Sequence, residues 1–206
     1  APAADPAAAS FTPIFDGATL KGWKHTPDTT NWVAANDILK HNGRKGAVND
    51  LWTEKSYKDC TLSFNWRWSG RGPVMPRPVV QPDGSDKGTV EVEELDSGIY
   101  LRGNTKSQVN LWNWTVGSGE VYGYRTDGSM PAEVKAGVTP KAKADKPPGE
   151  WNHMVVTLKG EELSVTLNGR LVIDKARLPG IPAEGPLGLQ HHGGAIDFAN
   201  LRVSVP

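Results

Sequence analysis

Apolar side chains recur at every second residue along this chain, and almost nowhere at the spacing of a helix. From Thr61 to Trp68, Leu62, Phe64, Trp66 and Trp68 share one parity, while Thr61, Ser63, Asn65 and Arg67 share the other. A period of two belongs to a pleated strand with one buried face. The pattern returns in Trp151–Leu158 through Met154, Val156 and Leu158. It recurs in Gly185–His192 and Ile196–Val205, where Leu187, Leu189, Ile196 and Phe198 should face inward. Glu162–Leu167 and Arg170–Asp174 flank Asn168-Gly169, a pair that supplies the positive φ angles of a two-residue hairpin turn. The 23 glycines and 16 prolines cut the chain into short runs. Short strands with no helix to cover them must bury their apolar faces against each other. The residues therefore predict an all-β fold of two packed antiparallel sheets, a β-sandwich or jelly roll.

At 206 residues with 37% hydrophobic content, the chain can fill one core. One domain is expected over residues 11–206, after a flexible segment over 1–10. That segment, APAADPAAAS, has the small-residue character found just after a signal-peptidase cut, so export to the periplasm or the outside is expected. Lys plus Arg and Asp plus Glu number 23 each, which leaves no electrostatic footprint for nucleic acid. No apolar run reaches the length of a membrane span. Cys60 is the single cysteine, so no internal disulfide exists, and at a strand start it reads as a packed thiol rather than a nucleophile.

Two stretches depart from ordinary strands on their polar side. In Asp96–Gly103, Ile99 and Leu101 oppose Asp96, Tyr100 and Arg102. Between Gln108 and Asp127, Val109 and Leu111 oppose Gln108, Asn110, Trp112 and Trp114; after Gly117-Ser-Gly119, Glu120, Tyr122 and Tyr124 again share a face. A solvent-facing strand would carry Lys, Thr, Ser and Glu there. Carboxylate, guanidinium, amides, phenols and indoles together suit a sugar, whose C–H face stacks on aromatic rings while planar polar groups fix its hydroxyls. Gly117-Ser-Gly119 itself reads as a turn, because no helix follows to cradle a phosphate.

Two long insertions adjoin these strands. Ser69–Leu95 carries Pro73, Pro76, Pro78 and Pro82 and ends in Glu91, Glu93 and Glu94; Thr126–Gly149 carries Pro131, Pro140, Pro147 and Pro148 with four lysines. Both read as structureless walls of a cleft. The acidic run reads as solvated, since its spacing is wrong for the paired carboxylates of a glycosidase. His191-His192 places consecutive imidazoles on opposite faces of a strand. His191 should lean with Leu189 toward the core, and His192 with Gln190 toward the polar face.

The motifs Phe15-Asp-Gly-x-x-Leu-x-Gly-Trp23, Ser97-Gly-Ile-Tyr-Leu-Arg-Gly103, Gln108–Tyr124, Gly149-Glu-Trp-Asn152, Leu167-Asn-Gly169, Leu189-Gln-His-His-Gly193 and Phe198-x-Asn-Leu201 occur in this order. In them the chain resembles the 3-keto-glucoside 1,2-lyase / 3-keto-2-hydroxyglucal hydratase family, also described as 3-keto-disaccharide hydrolases. The resemblance implies a concanavalin-like jelly roll and a carbohydrate partner. It departs at Asp96, where the family commonly has Asn before Ser-Gly. The implied chemistry is elimination across C1–C2, with or without hydration. It needs a base for the C2 proton, an acid for the leaving oxygen and donors for the enediolate.

His192 or Glu120 would serve as base or acid, Arg102 as enolate clamp, and Asp96 as its orienter or a metal ligand. Arg67, Tyr100, Gln108, Asn110, Tyr122, Tyr124, Gln190 and His191 would hold the substrate, with Trp112 or Trp114 as stacking platform. No cofactor is demanded; Asp96, Glu120 and His192 are residue types that accept a divalent metal, without a recognisable ligand spacing. The same aromatic face would equally serve a non-catalytic carbohydrate-binding module or a protein-interaction domain.

Overall fold

The computed structural model describes residues 1–2, 10–24, 31–43 and 49–206; most of the expected N-terminal segment, residues 3–9, lies outside the described residues. Among the described residues, fifteen strands form two main antiparallel sheets and a two-stranded ribbon, accompanied by two short helices. The larger comprises β1 (Thr12–Pro13), β3 (Trp32–Ala35), β4 (Ile38–Asn42), β6 (Cys60–Trp68), β11 (Asn152–Lys159), β12 (Glu162–Leu167), β13 (Arg170–Arg177) and β15 (Ala195–Ser204). The smaller runs in the order β10 (Asn104–Trp112), β9 (Asp96–Leu101), β14 (Gly185–Leu189), β5 (Leu51–Tyr57) and β2 (Trp23–Lys24).

The core lies between them. Leu62, Phe64 and Trp66 of β6 meet Ile99 and Leu101 of β9, Val109 and Leu111 of β10, and Leu187 and Leu189 of β14 in one buried cluster. Strand parity thus predicts the packing correctly, because burial of one face fixes register. The β12–β13 hairpin turns on Asn168 and Gly169, with φ of 51° and 80°, as a primed turn requires. Cys60 is buried among these strands, and burial pushes its thiol up to about 11, which keeps it protonated and unreactive. No helix among the described residues is long and apolar enough to cross a membrane.

Three expectations are corrected here. The insertion over 69–95 is not structureless: β7 (Val74–Val80) and β8 (Asp86–Glu93) pair as a two-stranded ribbon, with Arg77 opposite Val90. The insertion over 126–149 contains α2 (Ala132–Gly137). The strand expected after Gly119 is also absent. The chain instead coils into α1 (Tyr122–Arg125), where Arg125 N–H donates to the Val121 carbonyl. The period changes from 2 to 3.6 at this point, so Tyr122 and Tyr124 no longer share a face. Gly123 permits the coil to sit on β10, since a Cβ there would stand 2.4 Å from the Lys106 carbonyl oxygen.

Candidate functional site

The face of the smaller sheet turned away from the core carries a polar grid. Opposite Ile99 and Leu101, β9 presents Asp96, Gly98 and Tyr100. The register with β10 sets Gln108 beside Tyr100, Asn110 beside Gly98 and Trp112 beside Asp96. On the other flank Gly188 pairs with Tyr100 and with Trp52 of β5, and Gln190 N–H donates to the Gly98 carbonyl at 2.9 Å. Trp52 stacks on Tyr100 with centroids 5.1 Å apart and planes within 13°. Two glycines make this layer fit: a Cβ at Gly188 would stand 2.7 Å from the Trp52 ring, and one at Gly98 would stand 2.3 Å from Gln108 Nε2. The Tyr100 hydroxyl faces the side chains of Asp50 and Gln190. Asp50 also accepts from His191 N–H at 2.8 Å.

At one end of the grid stands His192, its side chain 49% exposed, with Nδ1 3.6 Å from Asp96 Oδ2. Burial, and then the Glu94 carboxylate, push Asp96 up to about 7, against the opposing pull of Arg77. Burial holds His192 below its ordinary value, which keeps its imidazole neutral. Arg77 Nε donates to Glu94 Oε2 at 2.6 Å, and Trp114 Nε1 donates to the same oxygen at 3.1 Å. Asp96 Oδ1, Gln190 Oε1 and Gln108 Nε2 are buried without hydrogen-bond partners among the described residues. Each such group costs about 1–3 kcal/mol, a cost that a bound hydroxyl relieves.

Glu120 belongs to the edge of this face. Its wholly buried side chain pairs with Arg125, whose Nη1 reaches Asp86 Oδ1 at 2.7 Å and the Gly84 carbonyl at 3.1 Å. Burial outweighs the guanidinium and raises Glu120 above the usual carboxylate range. Asn110 receives the Tyr122 N–H at 3.3 Å. Asp96, His192, Tyr100, Gln108, Asn110, Gln190, Glu120 and Tyr122 are therefore on or beside one surface.

Five sequence expectations fail on geometry. Arg102 is no enolate clamp, because a left-handed backbone (φ 50°) turns it out of the strand at the far end of β9. There its buried guanidinium donates to the Lys58 and Pro182 carbonyls and to Asp59. Arg67 lies on the other sheet, paired with Asp197 and stacked at 4.7 Å over Trp151. Tyr124 enters the core and donates its hydroxyl to the Pro179 carbonyl. Trp112 and Trp114 stack on each other at 4.0 Å beneath Val80 and Val92, so neither offers a free platform. His191 is buried edge-on against His41 at 4.4 Å. Among the described residues no three His, Cys, Asp or Glu side chains group closely enough to hold a metal ion, so Asp96, Glu120 and His192 do not form a ligand set.

Sequence reasoning also missed five residues. Asp50 and Trp52 continue the alternation of β5 on the polar face, which was a usable signal. Arg77 is hidden in Pro76-Arg77-Pro78 and Glu94 in an acidic run; both looked like loop residues. Arg125 was concealed by the change of period.

Two expected outcomes separate structural from site roles. Arg102→Ala should cost about 2–3 kcal/mol in urea unfolding and leave turnover per folded molecule unchanged. A selective loss of turnover would return Arg102 to the site. For Asp96, the folded carboxyl titrates near 7 against an ordinary 3.8, so the folded state holds the proton longer than the unfolded chain. Its contribution is full below pH 4 and is lost as pH rises to 7. Asp96→Asn should therefore gain roughly 2–4 kcal/mol on the wild type between pH 4 and pH 8. A pH-independent gap would mean that Asp96 titrates normally.

A β-sandwich whose smaller sheet bears such a polar, ring-flanked face defines a carbohydrate-active class. Within that class the chain belongs to the 3-keto-alpha-glucoside-1,2-lyase-like domain family, whose model matches residues 10–204. No curated protein sequence matches it. Two solved structures from Parabacteroides distasonis ATCC 8503, provisionally named glycosyl hydrolases, are similar. One has a TM-score of 0.64 at 21% identity, covering 96% of this chain and 84% of that one. The other has a TM-score of 0.61 at 18% identity, covering 95% and 99%. The carbohydrate-binding module CBM66 from Bacillus subtilis follows with a TM-score of 0.53 at 16% identity, covering 89% and 96%. At these identities the likeness is one of fold.

Proposed function

We propose that the protein cleaves 3-keto-glycosides by elimination across C1–C2, and that hydration of the product makes the net result hydrolysis. The observation that carries this reading is the His192–Asp96 pair, a neutral, half-exposed imidazole backed by a buried carboxyl, at the end of a face of unsatisfied polar groups. A ketone at C3 acidifies the C2 hydrogen. His192 Nε2 takes that proton while Asp96 supports the charge developing on the ring through Nδ1. The electron pair left at C2 forms the C1–C2 double bond as the C1–O bond breaks, and the imidazolium returns its proton to the departing oxygen. An alcohol and a conjugated enone result. In the reverse sense, water gives its oxygen to C1 and a proton to C2.

Arg77 takes the part that Arg102 cannot. Its cation lies within electrostatic reach of both Asp96 and His192, where charge builds on the enediolate oxygens. Gln190, Gln108, Asn110 and Asp50 would hold hydroxyls, and Trp52 would flank the ring. Incubation with a 3-keto-glucoside carrying a chromophoric aglycone tests the proposal: aglycone release with transient enone absorbance is expected. Binding without either signal would leave a carbohydrate-binding module as the better account.

A further inference from the structure

We infer that His41 is a positioning residue that sets the backbone turn aiming His192 at Asp96, an inference resting on the role just given to His192. The turn is Gly193-Gly194, in which Gly193 has φ 110°. Gly194 is wedged in place, since a Cβ there would stand 3.2 Å from the Trp68 ring and 3.5 Å from backbone atoms of Asp96. On its other side, His41 Nδ1 lies 3.2 Å from the Gly194 carbonyl oxygen. The end of β4 presses as closely: a Cβ at Gly43 would stand 2.7 Å from Ala195 N and 3.0 Å from the Gly193 carbonyl oxygen. His41 itself is fixed, buried between Trp32 at 4.7 Å and His191 at 4.4 Å.

Two groups compete for Nδ1. The Gly194 carbonyl needs a donor, and Gly43 N–H, also 3.2 Å away, needs an acceptor. A neutral imidazole can satisfy only one of them with that nitrogen. Nε2 is buried without a hydrogen-bond partner among the described residues. A proton on Nε2 would be an orphan donor in the interior, which is rarer in native structures than an orphan acceptor. A proton on Nδ1 ties His41 to Gly194 and leaves the unpaired donor at Gly43 N–H, on a residue that is only half-buried, instead of at the fully buried Nε2. Burial brings the ring down to about 4, so it stays neutral at ordinary pH and holds this tautomer.

Long-range ¹H–¹⁵N NMR of the full chain reads both the His41 tautomer and the His192 titration. Nδ1–H at His41 is expected in the wild type; Nε2–H overturns the inference. His41→Asn keeps an amide near the Nδ1 position and should hold kcat within about 3-fold with an unmoved His192 titration. His41→Gln places its amide near Nε2 instead; it should lower kcat on the order of 10- to 100-fold at unchanged KM and shift that titration. Matching titrations and turnover for the two variants overturn the inference, and the wild-type tautomer decides it if the Gln form does not fold. If the wild type acts on no 3-keto-glucoside, the proposed reaction fails, while tautomer and titration still judge His41.

Discussion

His192→Ala should lower kcat on a 3-keto-glucoside by about 10²–10⁴-fold while KM moves little, the signature of a lost proton-transfer group. The imidazole is the half-exposed partner of the pair, so of the two it is the one that a substrate can reach. Asp96→Asn should lose much less, because an amide oxygen keeps a negative dipole beside Nδ1. Its effect should instead appear as a displaced pH profile. A His192→Ala enzyme of undiminished kcat would move the base elsewhere on the face.

The second large effect concerns stability. Arg125→Ala should cost about 3–5 kcal/mol, because it strands the Glu120 carboxyl inside the protein. It also cuts the guanidinium's bonds to Gly84 and Asp86 at the turn that joins β7 to β8. Glu120 escapes part of that cost by holding a proton, so the loss should be larger at pH 8 than at pH 5. Glu120→Gln combined with Arg125→Ala should recover part of it, since the two residues act as one unit. Urea titrations at both pH values measure this, and strictly additive losses would show that the pair does not interact.

The frame was legible in the sequence because burial of one sheet face leaves a period-two trace. Leu62, Phe64 and Trp66 could be assigned inward without knowing what they would meet. The polar face of β9 and β10 was legible for the same reason, as was the opposite orientation of His191 and His192. Parity fails wherever the chain leaves the strand. Arg102 has the parity of Tyr100 but sits after the strand ends, with a positive φ that swings its side chain to Lys58 and Asp59. Tyr124 has the parity of Tyr122 but lies on a helical turn, and so enters the core. Trp112 does share the face of Asp96, yet the ribbon formed by residues 74–93 covers it. Proline there suggested loop, but a two-stranded edge ribbon tolerates proline where no ladder N–H is needed.

The central claim is that catalysis depends on a ketone at C3. The most direct measurement compares kcat/KM for a 3-keto-glucoside and for the same glucoside with its C3 hydroxyl intact, in deuterated water. Without the ketone the C2 hydrogen is not acidic enough to remove. The account therefore predicts turnover of the keto sugar alone, with solvent deuterium entering C2. Equal rates on the two sugars, with no deuterium at C2, would contradict it and indicate direct displacement at C1.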